Sequence, residues 1–251
     1  MLEARNVRVV FGGFQALDGA SVRLPAGFVT GIIGPNGAGK STLFGVLAGA
    51  VETASGEVLL EGRSVARHGP AWRARHGLTR TFQLSRELAA LSVLENVLLA
   101  RPKAPGEGVF SALFSRSAMR AAEEVAIEKA RNLLARVDLW RLANAPAGAL
   151  SGGQKKLLEL CRALMLDPRI VLLDEPSAGV NPTRISEITE FIRTLQQEGM
   201  SFGMVEHNMD MIRSLCDHVY VLAEGRVLTE GRFDDVVNNP QVASAYLGSQ
   251  P

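Results

Sequence analysis

Three groups of residues carry side chains and spacing suited to chemistry on phosphates. Gly34-Pro35-Asn36-Gly37-Ala38-Gly39-Lys40-Ser41, followed by Thr42, fits the pattern GxxxxGK[ST]. Glycines there let the backbone approach phosphate oxygens without a Cβ in the way. Successive backbone N–H groups at a helix N-terminus form a concave anion nest. Lys40 supplies a point charge for the outer phosphates of a nucleotide, and the Ser41 hydroxyl is placed for Mg²⁺. Asp174 and Glu175 end an apolar run at 170–173. Asp174 suits a hold on Mg²⁺, usually through water, and Glu175 a general base for an attacking water. The plain alternative is two solvated acids at a strand end. In Leu150-Ser151-Gly152-Gly153-Gln154, Ser151 can cap the following helix while Gly153 bares its backbone, which makes a second anion site. The plain alternative there is a capped helix and nothing more.

The elements that must position these groups are legible in outline. The β-branched run 29–33 suits a buried parallel strand, and 41–49 reads as a short helix closed by glycine. Residues 2–33 and 56–65 alternate as strands do, and 86–157 read as largely helical. Within that block, 121–137 is amphipathic, with Ala126, Ile127, Ala130, Leu133, Leu134 and Val137 on one face. Asn181-Pro182 is a helix start, proline standing where its missing N–H matters least. Ile185, Ile188, Ile192 and Leu195 then line one face until Gly199. Strands follow at 200–206, 218–222 and 226–228, the last two flanking a turn at Glu224-Gly225. Strand–helix alternation predicts an α/β parallel sheet.

From Leu150 to Gln154 the chain resembles the ATP-binding subunit of an ABC (ATP-binding cassette) protein, and the likeness runs over 1–248. It implies a P-loop NTPase fold with a RecA-like core, a small antiparallel β subdomain and an inserted helical subdomain. The whole of 1–251 would be one such cassette, with 1–85 and 158–251 as core and 86–157 as helical subdomain. It implies ATP and Mg²⁺ as cofactors. Ser151, Gly152, Gly153 and Gln154 would touch the γ-phosphate of ATP held by an opposite subunit. Gln83, in Arg80-Thr81-Phe82-Gln83, resembles the glutamine that senses the γ-phosphate and metal. His207 resembles the switch histidine after a strand. Phe11 stands where the family places an aromatic against adenine, with Phe14 as rival and a core or turn role open for both. The loop Ser177-Ala178-Gly179-Val180-Asn181-Pro182 has Asn181 where aspartate is usual, which keeps the hydrogen-bonding shape and drops the charge.

An irregular insertion at 101–120, Val180-Asn181-Pro182 and the tail 239–248, which ends in Tyr246-Leu247-Gly248, resemble the LivG type of cassette. Such cassettes serve importers of branched-chain amino acids and related small polar solutes, urea and amides included. The implied partners are two transmembrane permeases and a second ATPase, LivF-like or a second copy of this chain. A periplasmic solute-binding protein would act with them indirectly, and the cassette would sit at the cytoplasmic face of a bacterial inner membrane. Lipopolysaccharide exporters share a similar tail. A non-transport cassette, or a module that binds ATP without turnover, are the readings furthest from this one.

Composition agrees with a cytoplasmic globular chain. Of its 251 residues 47% are hydrophobic, enough for a sizeable core, and the net charge of +1 gives no general attraction to nucleic acid. Cys161 and Cys216 stand among apolar residues in predicted helices and read as two free buried thiols. No apolar run of about eighteen residues offers a membrane span, and nothing near Met1 resembles a signal peptide. Between Gly62 and Arg86 there are six arginines and no acid: Arg63, Arg67, Arg73, Arg75, Arg80 and Arg86. The stretch reads as a solvated basic face, or as a contact for acidic groups of a membrane partner or lipid.

Overall fold

The computed structural model describes residues 1–81, 87–102 and 116–247. Gln83, Arg86 and most of the 101–120 insertion therefore lie outside the described residues. In chain order the elements are β1 (Leu2–Phe11), β2 (Phe14–Leu24), β3 (Val29–Ile33), α1 (Lys40–Ala48), β4 (Ser55–Leu60), β5 (Arg63–Ser64), α2 (Pro70–Arg75) and β6 (Leu78–Arg80). Helices α3 (Val93–Leu98), α4 (Arg116–Arg136) and α5 (Gly152–Leu164) follow, then β7 (Ile170–Asp174), α6 (Pro182–Gln197) and β8 (Ser201–Val205). The chain closes with α7 (Met209–Leu215), β9 (His218–Ala223), β10 (Arg226–Gly231), α8 (Phe233–Val237) and α9 (Pro240–Leu247). Two compact units result: Met1–Gln83, Pro168–Ala178 and Ile192–Pro251 form one, and Leu84–Asp167 with Gly179–Phe191 the other.

The first unit holds both sheets. One is antiparallel in the order β2-β1-β4-β5, and the other runs β10-β9-β3-β8-β7-β6. In the second, β9, β3, β8, β7 and β6 are parallel and only β10 is antiparallel. All five residues of β3, β7 and β8 are buried, which is why they read as continuous apolar runs rather than alternating ones. The core joins the sheets around α1 through Leu2, Leu17, Leu24, Ile32, Leu43, Phe44 and Leu47. Each such side chain contributes about 1.5–3 kcal/mol on burial. The β9–β10 turn uses Glu224 at φ 49 and Gly225 at φ 74, the positive pair that a two-residue hairpin turn favours.

In the second unit α3, α4 and α5 pack on one another and bury Val93, Val97, Ala130, Leu133, Leu134, Leu157 and Leu158. Ile127 departs from the expected face and is 37% exposed. At about 100° per residue it lies at the edge of the stripe Ala126-Ala130-Leu133-Leu134, about 20° from the buried Leu134 but two turns nearer the start of the helix. Cys161 is a buried free thiol inside α5, and burial pushes it up to about 12. Cys216 is also free but only half buried, and it stands in extended backbone just past α7 rather than within it.

The basic stretch is not one solvated face. Arg63, Arg67 and Arg75 are exposed, but Arg73 is buried and Arg80 half buried. The Arg73 guanidinium donates to the carbonyls of Val46, Leu47, Val65 and His68 at 2.6–2.9 Å. Two of those carbonyls lie in the last turn of α1, where orphan C=O groups and the negative end of the helix dipole suit a cation. Arg73 is thus a brace inside the fold.

Candidate nucleotide site

Adjacent parallel strands bring three of the sequence motifs to one edge of the mixed sheet. The phosphate loop leaves the C-terminal end of β3, His207 follows β8, and Asp174 ends β7. The crevice outside the carboxyl ends of such strands is where open α/β sheets hold ligands.

In the loop, Asn36 and Gly37 form an exposed tip, while Gly34 and Ala38 are buried. Gly39 has φ 98, and a Cβ on it would lie 2.6 Å from the Ala16 carbonyl oxygen, so no larger residue fits. No side chain caps α1, which leaves its first-turn N–H groups for an anion. Lys40 is 6% exposed, and its Nζ donates to the carbonyls of Gly34 at 2.7 Å and Pro35 at 2.8 Å. Burial lowers its ammonium pKa, and the negative charge of Glu175 opposes that shift. Ser41 is exposed and Thr42 half buried on the first turn of α1.

Asp174 is 5% exposed, and its Oδ2 accepts from Arg80 Nη2 at 2.6 Å. Arg80 comes from the neighbouring β6, and its guanidinium also lies over the Phe44 ring of α1. Glu175 has φ 48, a left-handed conformation that a residue with a Cβ adopts only where its surroundings enforce it. Its N–H donates to the Val205 carbonyl at 2.9 Å, and its Oε1 lies 3.3 Å from His207 Nε2. The candidate base and the histidine singled out by resemblance are therefore neighbours. Ser41 and Asp174 are hard oxygen donors, a set that fits Mg²⁺ sharing its remaining ligands with substrate phosphates and water. Among the described residues, no group of three His, Cys, Asp or Glu side chains could hold a metal alone.

Phe11 and Phe14 pair across the β1–β2 turn and are 51% and 66% exposed, which removes the core role for both. The tail also reaches the loop. Burial pushes the Tyr246 phenol above its ordinary range, against a hydrogen bond from the Gly34 backbone. Two residues here went unmarked by any sequence motif. Arg80 was hidden in a run of arginines. Glu206 is an acid directly after the buried strand β8, which is the available signal.

Ser151, Gly152, Gly153 and Gln154 belong to the second unit. Ser151 Oγ accepts from Gln154 N–H while Gln154 Oε1 accepts from Ser151 N–H, a complete capping box at the start of α5. A Cβ on Gly153 would meet Arg184 Cβ at 2.7 Å, so α5 and α6 approach too closely there for any side chain. Asn181 acts locally, as a helix cap. Its Oδ1 accepts from Arg184 N–H at 2.9 Å at the start of α6. Asn181→Ala is expected to lower stability by about 1 kcal/mol, a fall of roughly 2–4 °C in the Tm from a thermal melt.

Comparison with known proteins bears on these motifs. Residues 17–178 match the family model described as ABC transporter, and 226–250 match that of the branched-chain amino acid ATP-binding cassette transporter. The probable branched-chain amino acid transport ATP-binding protein LivG of Archaeoglobus fulgidus is 39% identical over 250 residues, covering 100% of this chain and 96% of the relative. The high-affinity branched-chain amino acid transport ATP-binding protein LivG of Escherichia coli is 34% identical over 249 residues, covering 99% and 98%. A nucleotide-free ATP-binding cassette from an ABC transporter superposes with a TM-score of 0.85 at 38% identity, covering 98% of each chain.

Proposed function

Because the chain belongs to the ABC transporter family, whose ATP-binding cassettes hydrolyse ATP, we propose that it energises an importer of branched-chain amino acids or related small polar solutes. The observation that carries the enzymatic part is the meeting of the phosphate loop, Asp174, Glu175 and His207 at the ends of β3, β7 and β8. The solute class rests on the names of the relatives and on the tail that matches the branched-chain amino acid cassettes.

In this reading ATP lies on Gly34–Thr42, its phosphates on the α1 N-terminus and Lys40 and its adenine against Phe11 or Phe14. Ser41 and Asp174 hold Mg²⁺, with Gln83 as a further candidate, and Arg80 fixes the Asp174 carboxylate. Bound there, the ion offsets charge on the phosphoryl oxygens. Glu175 accepts the proton of the attacking water, and His207 orients the Glu175 carboxylate through the Nε2 contact. A second cassette, a different chain or another copy, brings its Ser151–Gln154 helix start over the γ-phosphate. Catalysis is then mostly positioning and electrostatics. No helix among the described residues is long and apolar enough to cross a membrane. Attachment to the cytoplasmic face falls to two permeases, with a solute-binding protein acting on their far side.

Co-purification from native membranes in mild detergent tests the assembly: two multi-span chains and a second cassette are expected. Leucine uptake into proteoliposomes that hold that complex and internal ATP tests the solute. Recovery with ribosomal proteins, or alone, would overturn the transport reading. Lys40→Ala removes the cation nearest the loop, so ATP affinity should fall by about 10- to 100-fold, the worth of charge-assisted bonds of ~1.5–3 kcal/mol. Equilibrium binding of a fluorescent ATP analogue measures it, and unchanged binding would remove Lys40 from the site.

A further inference from the structure

Glu206 is 2% exposed, and its carboxylate is occupied by backbone. Oε1 accepts from Ser177 N–H at 2.6 Å. Oε2 accepts from His207 N–H at 2.8 Å and from Asn208 N–H at 3.0 Å. Those donors stand in two different loops. Ser177 lies in the turn that leaves β7, closed by an Ala178 N–H to Glu175 carbonyl bond of 3.1 Å. His207 and Asn208 leave β8, and Asn208 goes on to cap α7 through Met211 N–H.

A single buried anion thus ties the loop that carries Glu175 to the loop that carries His207. An ionised carboxylate with acceptor sites on both oxygens suits three N–H donors converging from two directions. Removing it would take the shared acceptor from those three part-buried donors. The Glu175–His207 spacing of 3.3 Å joins a side chain 18% exposed to one 48% exposed. The Glu175 N–H to Val205 carbonyl bond fixes the strand ends beneath it, and the Glu206 bonds fix the two loops beyond them.

We infer that Glu206 is a positioning residue that sets His207 against Glu175 by joining the two loops. It touches neither ATP nor water, and its effect on hydrolysis passes through His207. The inference rests on the ATPase reading above.

The test is a double-mutant cycle on the full-length chain purified with its membrane partners, with ATP and Mg²⁺ as the probe. Glu206→Gln keeps size but turns an NH₂ toward N–H donors. It should lower kcat by about 10- to 100-fold, the scale of a misplacement near 1 Å, with KM for ATP changed by less than ~2-fold. In a His207→Ala background the same change should cost less than ~2-fold more, because the group it positions is already gone. Should Glu206→Gln fail to give a cooperative melt, Glu206→Asp takes its place. Its shorter chain keeps the bonds to the residues that follow it and loses Ser177, so its smaller loss should be non-additive in the same way. Equal losses in both backgrounds, or a raised KM at unchanged kcat, would overturn the inference and leave the ATPase reading standing. Wild-type complex that hydrolyses no ATP would overturn both.

Discussion

Glu175→Gln is expected to lower ATP turnover by about 100-fold or more while the nucleotide remains bound, the span for loss of a general base being ~10²–10⁴. Glutamine is nearly isosteric and can keep the contact to His207, since its amide oxygen accepts from an Nε2–H as the carboxylate does. It carries a Cβ as glutamate does, so the left-handed backbone at φ 48 is strained to the same degree in both. What it lacks is proton affinity. The change should therefore appear in kcat and leave ATP binding intact, the opposite of Lys40→Ala, where the loss falls on binding. With hydrolysis stopped, closure over ATP by Ser151–Gln154 of a second cassette should outlast purification. Phosphate release measures the first effect, and size-exclusion chromatography with and without ATP measures the second. Turnover at the wild-type rate would take the base role from Glu175 and return it to the solvated acid of the plainer reading.

How much of this was legible follows from what each signal depends on. Strand β3, buried on both faces, is a local apolar run and could be read directly. The phosphate loop is equally local, because its glycines answer to the backbone of the loop itself. The order β3-β8-β7 is not local. It pairs Val29 with Phe202 and sets β7 against β8 across the whole of α6, so the approach of His207 to Glu175 came from resemblance and not from any pattern in the residues. Ile127 failed because a helix face is set by what packs on it, and hydrophobicity alone did not separate it from the stripe beside it. Arg73 failed for a similar reason. Its neighbours Arg67 and Arg75 are exposed, and composition cannot tell a solvated guanidinium from one enclosed by carbonyls.

Arg73→Met carries the largest expected effect on stability. Arg73 is 3% exposed, and burial pushes its guanidinium down to about 10, so it remains a cation at neutral pH. Its head group donates to four carbonyls through Nε and both Nη atoms. Methionine fills part of the volume, yet it takes the guanidinium from all four carbonyls, and only those of Val46 and Val65 keep a backbone donor, from Gly49 N–H and His68 N–H. Two of them end α1, the helix whose first residue is Lys40. Such losses run to about 3–5 kcal/mol, or roughly 6–20 °C in Tm for a chain of this size. Arg73→Lys should recover only part of this, since one compact ammonium with three donors cannot span four carbonyls that a planar fork reaches. A melt of Arg73→Met within ~2 °C of wild type would show that water replaces the guanidinium at little cost. Arg67→Glu serves as the contrasting variant. Its side chain is exposed, so its melt should stay within ~0.5 kcal/mol of wild type. Any loss of membrane assembly in that variant would then report a surface contact rather than a damaged fold. The two arginines, six positions apart in one basic stretch, are thus separable by a melt and a pull-down.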